Sequence, residues 1–289
     1  MSYATNGTCK IYYDEFGSSD SPTLLPTLLM VNGLGSQCIN YADEWCAMFV
    51  ASGFHVVRFD NRDVGLSSKF TNAPTGQKGE SYTLADMAGD AIAVLDAVGV
   101  ERAHIMGLSM GGAIVQQIAI DHPESVLTMT SVMSWTGEPE YRTSSPEAWE
   151  FMTRPQVTNR QEYIENWVGG QRIWGSPAFA NEARWRTHAE RAFERCFDPG
   201  GSTRQFLATG ASPARADRLR NLDVPTLVIH GDRDTLIGLE GGRRTAELIP
   251  GARFEVIEGM GHDYPPELWE RWVELVAGFA LDGDRPIRT

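Results

Sequence analysis

An α/β fold, a mostly parallel sheet with helices on both faces, is predicted by three observations. Short apolar runs of strand length alternate with amphipathic helical stretches, the pattern of parallel strands joined by crossover helices. Glycine, proline or an Asp/Asn turn follows most of these segments. The chain has 289 residues, of which 42% are hydrophobic, enough to fill one large core carrying an inserted subdomain.

Thr27-Leu28-Leu29-Met30-Val31 reads as a buried strand ending at Asn32-Gly33. Ile39 to Ser52 reads as a helix, with Trp45 and Phe49 one turn apart and Gly53 as its stop. His55 to Phe59 is the next strand, closed by the turn Asp60-Asn61-Arg62-Asp63. Thr83 is a good helix N-cap with Asp86 three residues on. Leu84, Met87, Ala91, Val94 or Leu95, and Val98 then recur at helical spacing until Gly99. Ala103 to Met106 is a strand, Gly111 to His122 a helix stopped by Pro123, and Leu127 to Val132 a strand again. Thr226 to His230 and Arg253 to Ile257 are strand-like. Leu268, Trp272, Leu275 or Val276, and Phe279 make an amphipathic closing helix.

Residues 135–219 break the alternation. They are rich in aromatics (Trp149, Phe151, Tyr163, Trp167, Trp174, Trp185) and charges, with no clear strand. This stretch is expected to be a helical cap over the C-terminal edge of the sheet, with 1–134 and 220–289 forming the core domain. Ordinary helices packed beside the sheet are the alternative.

The formal net charge is −13, from 25 basic and 38 acidic residues. Such a surface repels nucleic acid and anionic membranes, so neither is expected as a partner. Cys9, Cys38, Cys46 and Cys196 form no CxxC pair and no zinc-type cluster, and are expected to be reduced thiols. No metal and no cofactor are expected. No stretch approaches the ~20 apolar residues of a membrane span. Met1 to Phe16 has no apolar core of signal-peptide length, so the expected location is cytoplasmic. Nothing here fixes the oligomeric state.

The chemistry is carried by Gly107-Leu108-Ser109-Met110-Gly111-Gly112, set between a strand and a helix. This is a GxSxG elbow in its required context. The serine sits on a sharp turn, which Gly107 and Gly111 let close by lacking side chains. The following helix aims its positive end at the reaction centre. A serine hydroxyl needs a base to become nucleophilic. Of the six histidines, His55 and His104 lie at strand starts and His122 at a helix end, structural positions. His230 ends a strand, and His188 carries no local signature. His262 lies in Glu258-Gly259-Met260-Gly261-His262, a loop after the last strand able to carry an imidazole back over the sheet edge. It is the expected base, consistent with the chain order nucleophile, acid, base.

The acid is sought in His230-Gly231-Asp232-Arg233-Asp234. Asp232 lies close to the strand end, where bonding the turn's own N–H groups is the simpler role. Asp234 is further out and is favoured to meet His262. Glu138, after the preceding strand, is a weaker rival. For the oxyanion, the elbow presents the N–H of Met110. The loop Asn32-Gly33-Leu34-Gly35-Ser36 supplies the second donor, assigned to Leu34, with Gly33 and Gly35 allowing close approach.

Together these segments resemble the α/β-hydrolase fold family, and the resemblance covers the whole chain apart from the insertion. It rests on Phe59-Asp60-Asn61-Arg62-Asp63-Val64-Gly65-Leu66-Ser67, Gly107 to Gly112, Gly231 to Asp234 and Gly259 to His262. Within the family the chain looks most like the aclacinomycin methylesterase group and related actinobacterial esterases and lipases. The resemblance implies an eight-stranded, mostly parallel sheet with a helical cap, a catalytic triad of Ser109, Asp234 and His262, and oxyanion donors at Leu34 and Met110. It also implies that Asp60 to Asp63 is a structural turn, with Arg62 pairing a nearby carboxylate. Asn32-Gly33 stands where many members have His-Gly; the close group also lacks that histidine.

The expected activity is hydrolysis of a small or medium carboxylic ester through an acyl-enzyme, on an apolar or ring-bearing substrate. A perhydrolase or haloperoxidase, a lactonase and a C–C bond hydrolase use the same triad and remain open, as does a non-enzymatic ligand receptor. Haloalkane dehalogenase and epoxide hydrolase chemistry is disfavoured, since both need an aspartate where Ser109 stands.

Overall fold

A computed structural model describes residues 1–17, 25–71 and 82–283. Along the chain come β1 (Ser2–Asn6), β2 (Cys9–Phe16), β3 (Thr27–Val31), α1 (Asp43–Ala51), β4 (His55–Phe59), α2 (Leu84–Ala97), β5 (Ala103–Leu108), α3 (Met110–Asp121) and β6 (Val126–Val132). Then follow α4 (Pro146–Met152), α5 (Arg160–Trp174), α6 (Glu182–Arg195), α7 (Pro199–Ala211), α8 (Ala216–Leu219), β7 (Thr226–Gly231), α9 (Leu239–Leu248), β8 (Arg253–Ile257) and α10 (Trp269–Gly283).

The strands form one sheet in the order β1-β2-β4-β3-β5-β6-β7-β8. β1 and β2 run antiparallel to their neighbours, and every pair from β4 to β8 is parallel. β3, β5 and β7 are buried at every position, as strands covered on both faces must be. Alternate residues feed the two cores. Leu29 and Val31 join the core with α2 and α3, while Leu28 and Met30 join the one with α1 and α10. In the second core, Trp45 stacks on Trp269 and meets Trp272 edge-on.

Three elements differ from the residue-by-residue reading, one of them helix α9, which that reading leaves out between β7 and β8. The N-terminal hairpin β1–β2 has no counterpart in that reading; Gly7, with φ of 59°, turns it, and Cys9, Ile11 and Tyr13 alternate into the core. The helix expected from Ile39 begins at Asp43, because Cys38–Asn40 forms a separate 3-10 turn and Ala42 adopts an extended ψ of 147°. The start of α2 matches: the Asp86 carboxylate accepts the Thr83 N–H at 2.8 Å.

Helices α4 to α7 lie between β6 and β7, within the 135–219 stretch, with α5 packed on α4 and α6. The short α8 packs instead on α3 and α9. Among the described residues no helix is long and apolar enough to cross a membrane.

Candidate active site

The strand order reverses around β3, whose neighbours are β4 and β5. At such a switch point the loops leaving two adjacent parallel strands part and open a crevice. Val31, the last residue of β3, is level with Gly107 on β5. The loop after β3 and the serine turn after β5 are therefore side by side.

Ser109 takes φ of 56° and ψ of −117°, a conformation a non-glycine residue adopts only under constraint. Its N–H donates to the Val132 carbonyl at 2.9 Å, and α3 starts directly after it. The elbow closes because side chains are missing. A Cβ at Gly107 would lie 2.1 Å from the Gly111 carbonyl oxygen, and one at Gly111 2.1 Å from that of Val31. Gly111→Ala is therefore expected to lower stability by about 3 kcal/mol or more, since the obstacle is backbone of a central strand. A urea unfolding midpoint equal to wild type would contradict this.

Gly33 packs on the serine: a Cβ there would sit 3.3 Å from Ser109 Cβ and 3.9 Å from its Oγ. The Met110 side chain is buried in the core under α2, so only its N–H, at the start of α3, is available to a ligand. In the neighbouring loop the Ser36 N–H donates to the Gly33 carbonyl and the Gly35 N–H to Gln205 Oε1. The Leu34 N–H has no acceptor among the described residues.

Asp234 and His262 meet. Asp234 Oδ2 lies 2.6 Å from His262 Nδ1, and Asp234 Oδ1 accepts the N–H groups of Leu236 and Ile237 at 2.9 and 2.8 Å. Its carboxylate is fully buried. Burial pushes its pKa up, but the charges and hydrogen bonds of His262 and His230 outweigh burial and hold it at about 2. The Asx-type turn expected at Asp232 thus falls on Asp234, while Asp232 accepts the Gly259 N–H of the histidine loop at 2.7 Å. Glu138 is engaged elsewhere, with Arg244 at 3.0 Å.

His230 is a member of this cluster that its strand-end position did not reveal. It is wholly buried, with Nε2 2.8 Å from the Ile237 carbonyl and 3.4 Å from Asp234 Oδ2. The four-residue spacing to Asp234 was visible, but strand-to-loop geometry gives that spacing no fixed meaning.

The insertion holds the histidine loop. The His262 N–H donates to the Trp174 carbonyl at 2.6 Å, and the Gly261 N–H to Ser176 Oγ at 2.9 Å. Asp263 in turn accepts the Ser176 N–H and hydroxyl. A Cβ on Gly261 would lie 2.3 Å from the Trp174 carbonyl oxygen, which explains the glycine before the histidine.

A cavity of about 970 Å³ lies over this constellation, near the upper end of small-molecule sites. Ser109, Leu34 and His262 line it. No hydrogen bond joins Ser109 to His262 among the described residues; such pairs often tighten only around substrate. The insertion supplies Phe151, Tyr163, Trp167, Trp174 and Trp185 to the walls. Trp149 stays outside, 38% exposed beneath the Arg142 guanidinium. His188 also lines the cavity, against Trp167 and with Nε2 2.9 Å from Asn40 Oδ1. Burial and the nearby Arg191 charge lower its pKa to about 4, so it is a neutral wall group at pH 7.

The turn Asp60–Asp63 is structural and heavily used. Arg62 pairs with Asp90 at 2.6 and 2.7 Å. Asp60 and Asp63 receive Arg195 and Arg204 from the insertion, at 2.8 and 2.7 Å.

The chain belongs to the α/β-hydrolase fold family, whose profile matches residues 26–265. Rhodomycin D methylesterase DnrP from Streptomyces peucetius is 29% identical over 287 residues, covering 90% of this chain and 91% of the relative. The 2-hydroxymuconate semialdehyde hydrolase of Pseudomonas putida is 30% identical over 206 residues, 70% of this chain and 71% of the relative. The enol-lactonase from Burkholderia xenovorans LB400 shares the fold, with a TM-score of 0.77 at 23% identity over 97% of this chain and all of that one.

Proposed function

We propose that the chain hydrolyses a carboxylic ester through an acyl-enzyme, with Ser109 as nucleophile, His262 as base and Asp234 as orienting acid. The observation that carries this reading is the 2.6 Å Asp234–His262 pair on a cavity shared with a strained serine. Asp234 holds the proton on Nδ1, leaving Nε2 free to take the Ser109 proton. Attack on the ester carbonyl forms a tetrahedral oxyanion, which the N–H groups of Leu34 and Met110 bind. The imidazolium then protonates the leaving alcohol. Water, deprotonated by the same ring, cleaves the acyl-enzyme and frees the acid. Within the 135–219 insertion, helices α4 to α7 act as the cap and supply the specificity walls.

The methylesterase relative supports ester cleavage. The second reading, C–C bond hydrolysis, rests on the 2-hydroxymuconate semialdehyde hydrolase, which matches at similar identity. Side-by-side turnover of methyl esters of aromatic acids, lactones and 2-hydroxymuconate semialdehyde tests the choice. The ester reading predicts the highest kcat/KM for the esters, and a dominant semialdehyde activity would overturn it.

The wall aromatics point to a bulky, ring-bearing substrate. Trp167→Ala is expected to raise KM for an aryl ester about tenfold, matching the ~1.4 kcal/mol of a lost ring contact. KM for ethyl acetate should stay within about twofold, since that ester is too small to need the contact. Equal KM changes for both esters would refute a recognition role for this wall.

A further inference from the structure

The loop that offers Leu34 is held from above, by the insertion. Gln205 on α7 is wholly buried and has both ends of its amide engaged. Its Oε1 accepts the Gly35 N–H at 2.8 Å, and its Nε2 donates to the Arg62 carbonyl at 2.8 Å. The two partners, one donor and one acceptor, fix which end of the amide faces which.

Gly35 follows Leu34 and sits in the left-handed region, with φ of 67°. Of the N–H groups of residues 34 to 36, those of Gly35 and Ser36 are bonded, and that of Leu34 has no acceptor among the described residues. The Gln205 contact therefore fixes the peptide adjoining Leu34 and stops the loop from rotating to pair its free amide internally. Helix α7 cannot easily drift. Its Arg204 grips Asp63 through two hydrogen bonds of 2.9 and 2.7 Å, with both side chains buried. A Cβ on Gly201 would stand 1.9 Å from the Asp63 carbonyl oxygen, so the helix lies directly on the turn after β4. The same loop is held at its far end by Gln37, which donates to the Ala192 carbonyl at 2.7 Å and accepts from Arg195 at 2.7 Å.

We infer that Gln205 is a positioning residue for the reaction: it sets the Leu34 donor by fixing the Gly35 amide, and so couples the insertion to the oxyanion site. This rests on the ester-hydrolase reading above. It makes α7 part of the catalytic frame and not a part that swings open.

The test compares wild type with Gln205→Met, which keeps the side chain's length but removes both hydrogen bonds. On an aryl ester, kcat is expected to fall about 10- to 100-fold with KM within about twofold, since a donor aimed at the oxyanion acts mainly in the transition state. Phenylboronic acid, whose tetrahedral adduct on the serine mimics the oxyanion, should lose affinity by a similar factor, while benzoate affinity stays within about twofold. A structural defect alone would move both ligands together. In the wild-type protein, amide NMR should show the Leu34 N–H shifting downfield when phenylboronic acid binds, with the Gly35 N–H already protected from exchange. This arm needs no variant to fold. Unchanged kcat and boronate affinity in Gln205→Met, or a freely exchanging Gly35 amide in wild type, overturns the inference while leaving the ester-hydrolase reading intact. Wild type that neither turns over esters nor binds phenylboronic acid overturns that reading and the inference with it.

Discussion

Ser109→Ala is expected to lower kcat for ester hydrolysis by about 10⁶-fold, down to what the oxyanion donors and binding alone can give. The magnitude follows from the covalent route. With no hydroxyl, no acyl-enzyme forms, and the proposed base His262 has no serine proton to accept. KM should change little, because the methyl of alanine fits where the serine methylene already sits against Gly33. The fold should survive, and stability serves as a control: the backbone strain at φ of 56° is unchanged by the substitution. Single-turnover kinetics with an activated ester check it. Residual activity above about one part in a thousand would point to a different nucleophile.

Asp234→Asn should lower kcat by about 10⁴-fold, through the tautomer. The two backbone N–H groups of Leu236 and Ile237 hold one side-chain oxygen at 2.9 and 2.8 Å. An asparagine must keep its carbonyl there, which turns its NH₂ toward His262. That amide donates, so Nδ1 must accept, and the proton moves to Nε2, where it blocks attack by Ser109. A variant retaining more than a tenth of wild-type kcat would contradict this.

The same substitution carries a pH signature. The Asp234 pKa is lowered from 3.8 to about 2, so its contribution to stability is complete above pH 3.8 and is lost as the pH falls through about 2. Wild type should therefore lose stability across that window, and Asp234→Asn should lose less. Urea midpoints at several acidic pH values measure the difference. Asp234 stays ionised well below neutrality, so loss of activity on mild acidification does not arise from it.

The segments that meet at the site were legible because each is local. A glycine-flanked serine between strand and helix, and a histidine on a glycine-rich loop after the last strand, carry their geometry in a few adjacent residues. The six parallel strands were legible for a similar reason, as apolar runs bounded by turns. The N-terminal hairpin was hidden because Tyr3 and Tyr12, aromatic but not buried, blur the alternation of Cys9, Ile11 and Tyr13. The choice between Asp232 and Asp234 came from distance along the chain. Its physical basis, one carboxylate capping Gly259 and the other bonding His262, needs the fold.

Least legible were the ties between the insertion and the core. Gln205 with Gly35, Arg204 with Asp63 and Arg195 with Asp60 join residues more than a hundred positions apart, and no periodicity links them. The Asp60–Asp63 turn shows the limit. The family resemblance implied a structural turn there, but its two carboxylates are held by arginines that belong to another part of the chain.

Reaction with a fluorophosphonate probe, followed by intact-mass and peptide-level mass spectrometry, tests the central claim most directly. One adduct per folded chain is expected, on the peptide carrying Ser109, with none on folded Ser109→Ala. A folded wild-type protein that takes up no probe, or takes it up at another residue, would contradict the assignment of this serine as the nucleophile.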